Sequence, residues 1–363
     1  MTRGEHIRAQ REEHGRKAIA VLPVHYPKEL LTALDVLAVE LWGPPGAPRG
    51  DDAGRIQSYI CPVVRKGLAF LASGGAGAVD AVLFPHTCDS LQQLATLAAD
   101  FGGWDKPALT FQHPKGSPRP SARTFLGGEL RMLVRKLEIL TGRPLDTSRL
   151  EAAVRLHDEI DRLRGALLDA GPRLAMSDAE LYALLRRGEW LWPEDHLHEL
   201  REAQAAVRDR PARAGVPILV TGYVPEPMAL FDVLEQAGAF VAGDDYAAVG
   251  RRLVRSRGAG EGWTGVLERY LSAPPCPTRC ADQRARMQHL ARLLERSGAR
   301  GVIVHGVKFC EPELFDVPAI RATFAARGVP VLQLESELER DLSAQAVTRV
   351  EAFVEMLSAG SVA

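Results

Sequence analysis

The sequence of 363 residues predicts an α/β protein: two Rossmann-like halves, each with a parallel sheet, and a helical insert between them. Three observations carry this reading. Short apolar runs rich in β-branched residues recur at both ends of the chain, and unbroken rather than alternating apolar runs suit strands covered on both faces. Helical patterns follow these runs, as right-handed βαβ units and a mostly parallel sheet require. The middle of the chain is almost free of such runs.

In order, the predicted strands are 17–24 (KAIAVLPV), 36–42 (VLAVELW), 79–84 (VDAVLF) and 107–112 (PALTFQ). Beyond residue 210 they are 216–221 (VPILVT), 238–242 (GAFVA), 301–305 (GVIVH) and 329–334 (VPVLQL). Between the two sets, LGGELRMLVRKLEILTG and SRLEAAVRLHDEIDRLRGALL space apolar residues three and four apart, as amphipathic helices do. Gly142 and Pro144 close one helix, and Ser177-Asp178 opens another that runs to Gly188. The expected domains are 1–125, a helical insert over 126–210, and 211–363. An internal echo links the halves: strand 79–84 runs into PHTCDS and strand 301–305 into GVKFCEPE, each placing a cysteine and then an acid past a strand's carboxyl end. Open α/β sheets bind ligands there.

Composition is that of an ordinary globular protein, 46% hydrophobic and 25% charged. A net charge of −1 provides no global field for nucleic acid or an anionic membrane, so neither is an expected partner. The Arg-rich stretch 251–257 (RRLVRSR) reads as a solvated helix face. No run reaches the roughly 18 apolar residues that span a bilayer. The polar, mixed-charge N-terminus lacks a secretory h-region, so the expected address is the cytoplasm. There the five cysteines are expected to be reduced, which favours metal ligation or catalysis over disulfides.

No GxxxxGK[ST] occurs, and GGAG (74–77) precedes a strand instead of following one, so neither a P-loop nor a dinucleotide fingerprint is present. Any ATP-driven step must belong to another chain. Cys61 lies where an extended stretch becomes a helix, with Pro62 at the first helical position. Cys88 and Cys310 follow strands. A thiolate at a helix N-terminus has a lowered pKa, partly offset by the following Asp89 and Glu311, and soft thiolates select zinc or iron–sulfur clusters. Spacing alone favours reading these three as buried, unreactive core cysteines, because their gaps match no compact metal motif. Cys276 and Cys280, spaced C-x₃-C, are candidate additional ligands if one helical turn brings their sulfurs to one face.

HYPKELLTALDVLAVELWG (25–43), QSYICPVVRKGL (57–68), DAVLFPHTCDS (80–90), VAGDDYAAVGRR (241–252), RGVIVHGVKFCEPELFDVPAIR (300–321) and GVPVLQLESE with QAVTRVEAFVEML (328–357) occur in an order and spacing that resemble the 2-hydroxyacyl-CoA dehydratase and benzoyl-CoA reductase subunits. The resemblance covers nearly the whole chain. It implies a [4Fe-4S] cluster held by Cys61, Cys88 and Cys310, an acyl-CoA substrate, and a homologous partner subunit or a second copy of the chain. It also implies a separate ATP-hydrolysing iron–sulfur activator that delivers one electron. One-electron reduction of a thioester carbonyl lets an α-hydroxyl depart and makes the β-hydrogen acidic, which is the chemistry such a dehydratase, a lyase, needs. By the same resemblance, Tyr26 and Glu29 lie in a stretch near the acyl group, with Glu29 as base if burial raises its pKa. Glu29 reads equally as a helix-start partner. His86 is a candidate donor to the cluster or substrate, and Asp245, in Asp244-Asp245-Tyr246, a candidate lining residue or helix cap. Five cysteines depart from the simplest dehydratase pattern, which keeps a reductase with a double-cubane [8Fe-9S] cluster as an alternative; QSYIC and KFCEPE resemble a benzoyl-CoA reductase-type subunit, and a non-catalytic electron relay is a further alternative.

Overall fold

The computed structural model describes residues 2–42, 56–100, 102–116, 119–207, 213–254 and 260–359. The chain divides into two compact units: Met1–Arg162 with Arg187–His198 and Val254–Ala273, and Leu163–Arg186 with Glu199–Leu253 and Pro274–Ala363.

The first unit is built on β1 (Lys17–Val21), β2 (Val36–Glu40), β3 (Ala81–His86) and β4 (Ala108–Gln112), in spatial order β2-β1-β3-β4. The second is built on β5 (Val216–Gly222), β6 (Ala239–Tyr246), β7 (Gly301–Val307) and β8 (Val331–Ser336), in order β6-β5-β7-β8. All eight predicted strands are present, and every pairing is parallel. The predicted echo is a topological equivalence: β3 and β7, the strands that lead to Cys88 and Cys310, hold the same place in their sheets.

Burial explains why the strands read as unbroken apolar runs. β7 is buried at all seven residues and β3 at all but its last, since helices cover both faces of a parallel sheet. The edge strands β4 and β8 alternate between buried and more exposed positions. Gly222, at the carboxyl end of β5, has a steric cause: a Cβ there would overlap the carbonyl oxygen of His305.

The described residues of 126–207 are mostly helical, as their spacing predicts, and contain no strand. Helix Pro120–Thr141 ends on Gly142 at φ +69°, and helix Asp178–Arg187 starts from a reciprocal cap. In that cap the Glu180 N–H donates to Ser177 Oγ at 3.2 Å while the Ser177 N–H donates to Glu180 Oε2 at 2.7 Å. The stretch is divided between the two units. Leu126, Leu130, Leu133, Val134 and Leu137 of helix Pro120–Thr141 pack with Ile19, Leu83 and Phe111 in the first core. The second core joins Leu219, Val302 and Val304 to Leu290, Leu294, Ile320 and Phe324.

Candidate functional site

In the first unit Cys61 is buried at the N-cap of helix Pro62–Ala72, with Pro62 in the first turn as predicted. Cys88 is the N-cap of the short 3₁₀ helix Asp89–Leu91, two residues beyond β3. The two sulfurs sense one another. Burial pushes the Cys61 thiol up to about 12, and the adjacent Cys88 adds to the rise. The backbone N–H groups of Val64 and Val63 oppose it only in part. Burial also raises the Cys88 thiol, against the N–H of Leu91 and the nearby Lys115 charge.

His86 closes β3. Its Nδ1 is bonded to Gln112 Oε1 across the β3–β4 pair, while Nε2 is buried without a hydrogen-bond partner. Thr87 Oγ1, next to Cys88, is likewise buried and unsatisfied. The end of β3 therefore carries Cys88, close enough to influence Cys61, and two unused polar atoms, which buried polar groups rarely leave idle.

Tyr26 and Glu29 lie elsewhere in that unit. The Tyr26 hydroxyl donates to Glu40 Oε1 at 2.9 Å, and Glu40, fully buried at the end of β2, also accepts from Trp42 Nε1 at 2.9 Å and pairs with Lys28 at 3.0 Å. Glu29 accepts from Arg269 Nε at 2.5 Å, and the same guanidinium holds Asp161 at 2.6 Å and Asp158. The helix-start partner reading of Glu29 thus has a specific cation.

In the second unit Cys310 is buried at the N-cap of helix Glu311–Ala325, just past β7. Cys276 and Cys280 flank a 3₁₀ turn, Pro277–Arg279, and do not share a helical face. Cys276 is buried, accepting from Arg251 Nη1 at 3.6 Å and lying 3.1 Å from Thr278 Oγ1. Cys280 is exposed, in the left-handed region at φ +52°.

Asp245, the expected lining residue, has no solvent exposure. Its oxygens are held by Arg286 Nη1 at 2.8 Å, Arg251 Nη2 at 3.0 Å, Thr221 Oγ1 at 2.6 Å and His289 Nε2 at 3.2 Å. The two guanidiniums outweigh burial and keep its carboxyl well below the usual range. Asp244 beside it caps the next turn, accepting from the N–H groups of Gly250 at 2.5 Å and Tyr246 at 3.2 Å and from the Tyr182 hydroxyl. Burial lifts the Asp244 carboxyl to about 7, and the charge of Asp245 adds to the lift.

One expectation is corrected. The stretch 251–257 is not a solvated face where it is described: Arg251 has no exposure and binds Asp245, Glu313, the Gly222 carbonyl and Cys276. Residues 255–257 lie outside the described residues. Arg251, Arg269 and Arg286 were missed as centres of organisation because a basic residue looks the same in a sequence whether it faces water or a buried acid. Their signal was positional: Arg269 and Arg286 fall on the apolar faces of helices Gly262–Leu271 and Gln283–Ser297.

Among the described residues no set of three or more His, Cys, Asp or Glu side chains is gathered to hold a metal ion, and no helix is long and apolar enough to cross a membrane. Cys61, Cys88 and Cys310 are nevertheless each an N-cap, though the extended stretch expected before Cys61 is instead a turn over residues 58–60, Cys310 follows a turn at 308–309, and Cys88 heads only a single 3₁₀ turn. A cysteine thiolate is a soft ligand of the kind iron–sulfur clusters take, so each residue fits that role by its donor chemistry.

The family model described as 2-hydroxyglutaryl-CoA dehydratase, D-component, matches residues 23–357. Curated relatives include the lactoyl-CoA dehydratase subunit beta of Anaerotignum propionicum, 26% identical over 353 residues and covering 95% of this chain and 93% of the relative. The (R)-2-hydroxyglutaryl-CoA dehydratase subunit beta of Acidaminococcus fermentans is 22% identical, covering 96% of this chain and 94% of the relative. A benzoyl-CoA reductase subunit of Thauera aromatica is 26% identical, covering 88% of this chain and 85% of the relative.

Proposed function

The chain belongs to the 2-hydroxyglutaryl-CoA dehydratase D-component family, and on that premise we propose that it is the cluster-bearing subunit of a 2-hydroxyacyl-CoA dehydratase-type lyase. The reading gives it a [4Fe-4S] cluster with Cys61, Cys88 and Cys310 as ligands. It works with a second subunit, homologous or identical, and receives electrons from a separate ATP-hydrolysing activator. The observation that carries the reading is the family match over 23–357, which spans Cys61 and Cys310 at α-helix N-caps and Cys88 at the head of a 3₁₀ turn.

When bound, such a cluster would supply one-electron transfer and a Lewis-acidic iron. The chain's own residues do the rest. The thiols of Cys61 and Cys88 must lose their protons on ligation, against the burial that raises both. His86 Nε2 is the unused polar atom nearest in sequence to Cys88 after Thr87 Oγ1 and is assigned to hydrogen-bond the cluster or substrate. Glu29, the candidate base, is oriented by Arg269, whose Nε donates to Oε1 at 2.5 Å. Tyr26 and Asp245, both buried, act by holding Glu40 and the Arg251–Arg286 pair in place.

A reductase of the benzoyl-CoA type is the second reading, favoured by an identity to the benzoyl-CoA reductase subunit equal to that with the lactoyl-CoA enzyme. In a double-cubane variant of it, Cys276 and Cys280 would have to ligate as well.

Anaerobic purification tests the proposal directly. A brown protein with about four irons per chain is expected. Cys61→Ala, Cys88→Ala and Cys310→Ala should each lose most of that iron, while a Cys276→Ala/Cys280→Ala double variant retains it. A folded, colourless, iron-free chain would overturn the cluster reading, and iron loss in the double variant would overturn the three-ligand set. Because the Cys61 thiol is protonated at neutral pH, iron uptake should strengthen with rising pH, by up to about tenfold per unit for each thiol displaced. Incubation with 2-hydroxyacyl-CoA or aromatic acyl-CoA thioesters, together with a low-potential reductant, separates dehydration from ring reduction.

A further inference from the structure

The second unit holds a buried histidine that the proposed chemistry leaves unused. His305, near the carboxyl end of β7, is 1% exposed, and its Nε2 is buried without a hydrogen-bond partner. Its Nδ1 lies 2.8 Å from the Tyr246 hydroxyl, at the end of β6. β5 runs between those two strands, and the contact crosses it at Gly222: the register sets Tyr246, Gly222 and His305 in one row across the sheet. Such partners present their side chains to the same face. A Cβ on Gly222 would stand 3.1 Å from Tyr246 Cε1 as well as overlapping the His305 carbonyl oxygen, so the glycine makes room for the hydroxyl to reach the ring.

The hydroxyl decides which ring nitrogen carries the proton. Among the described residues Nδ1 is its one hydrogen-bond partner. If the hydroxyl donates to Nδ1, only the Nε2–H stays idle. If Nδ1–H donates instead, the hydroxyl proton and the Nε2 lone pair both stay idle. The first arrangement is cheaper, because each idle buried polar group carries a desolvation penalty. Burial also pushes the imidazole down to about 4, which keeps it neutral at pH 7, and holds the Tyr246 hydroxyl protonated by raising it well above its ordinary range. His305 thus presents a neutral N–H donor in one tautomer.

We propose that His305 Nε2–H donates to a sulfur of the cluster that Cys310 ligates, with Tyr246 as the positioning residue that fixes the tautomer. The inference rests on the cluster reading and adds to it a residue that sets the reduction potential. β7 runs straight into the ligand: the Cys310 N–H donates to the Val307 carbonyl oxygen at 3.0 Å, so one tight turn separates strand end and cysteine. In the first unit β3 carries a similar device ahead of Cys88. There His86 has Nδ1 bonded to a side chain of another strand, that of Gln112, and Nε2 buried and unpartnered. β3 and β7 hold the same place in their sheets. A neutral donor suits the role, since an N–H···S bond stabilises the added electron and raises the potential without burying a further charge.

Two measurements test it. In the metal-free chain, nitrogen NMR of isotope-labelled histidine should show His305 protonated at Nε2 and bare at Nδ1 from about pH 5 to 8, its signal identified by its loss in His305→Gln. A proton on Nδ1, or titration within that range, overturns the proposal. After anaerobic reconstitution, an EPR-monitored redox titration reads the potential. His305→Leu should keep about four irons per chain and, at the parent's midpoint, lower the ratio of reduced to oxidised cluster about tenfold, or about 59 mV for one electron. His305→Gln, whose amide nitrogen falls near the place of Nε2, should restore most of the ratio. Tyr246→Phe, which removes one hydroxyl, should move it the same way as His305→Leu by a smaller factor, and it decides alone if the leucine variant fails to fold. A parent without iron overturns the cluster reading and this inference with it. Full iron with an unmoved potential in His305→Leu and Tyr246→Phe overturns this inference alone, as does an equal shift in His305→Gln.

Discussion

Each unit of the chain buries a cluster of charges, and the two are built with opposite stoichiometry. In the first, one guanidinium, Arg269, gathers three carboxylates, Glu29, Asp158 and Asp161. In the second, one carboxylate, Asp245, faces two guanidiniums, Arg251 and Arg286. Access to water explains how both persist. The Asp158 side chain is 43% exposed, so the surplus negative charge of the first cluster reaches solvent. Asp245 and Arg251 have no exposure and Arg286 has 1%, so the surplus positive charge of the second is met by further buried acids. These are Glu313, bonded to Arg251, and Asp316, 3.6 Å from Arg286 Nε. With these the second cluster holds three carboxylates against two guanidiniums, and its outermost acid, Asp316, is the most exposed at 11%; each dry guanidinium thus has an acid beside it, because an unpaired buried ion costs several kcal/mol.

Removing the central residue of each cluster should therefore break the comparison unequally. Asp245→Ala removes the carboxylate shared by Arg251 and Arg286 at a site with no solvent exposure, leaving Arg286 only Asp316 at 3.6 Å, and should cost roughly 3–5 kcal/mol in urea unfolding. Arg269→Met leaves carboxylates that can hydrate through Asp158 or take up a proton, so the loss should be smaller, roughly 2 kcal/mol, and should grow as pH rises through the carboxylate range. Equal losses would sink the argument from water access.

Asp244 sharpens the contrast through pH. Its folded carboxyl titrates near 7, against the ordinary unfolded value of 3.8, because burial penalises its charge. The folded chain thus holds a proton that the unfolded chain has released, and between about pH 4 and 7 this group's contribution to stability falls as pH rises. Asp244→Asn keeps an oxygen for the Gly250 and Tyr246 N–H groups and turns the Tyr182 hydroxyl into an acceptor. It should flatten that fall and raise stability above pH 7 by on the order of 1 kcal/mol. Melting temperatures of the two proteins from pH 4 to 8 decide it; parallel curves would remove Asp244 as the cause.

Features that depend on near neighbours were legible in the chain itself. Eight strands, the Pro62 helix start, the Ser177 cap and the Gly142 stop all follow from residues that interact within a few positions of one another. The candidate site was legible in the same measure: Cys61, Cys88 and Cys310 each sit at a junction into a helix marked by the local pattern. The partners of the polar residues were not legible. Glu29 meets Arg269 across 240 positions, and Asp245 meets Arg286 across 41, and no local rule links them.

By itself, then, the sequence determined the two parallel sheets, the helical stretch between their strands and the cysteines at helix starts. Unbroken apolar runs, caps and Pro or Gly stops act over single turns and single strands. Only the tertiary structure decided that Arg251 turns inward, that Cys276 is buried while Cys280 meets water, and that Asp245 is sealed between guanidiniums. The free energy of a charge depends on the dielectric and the counter-charge around it, and those are set by segments distant in the chain.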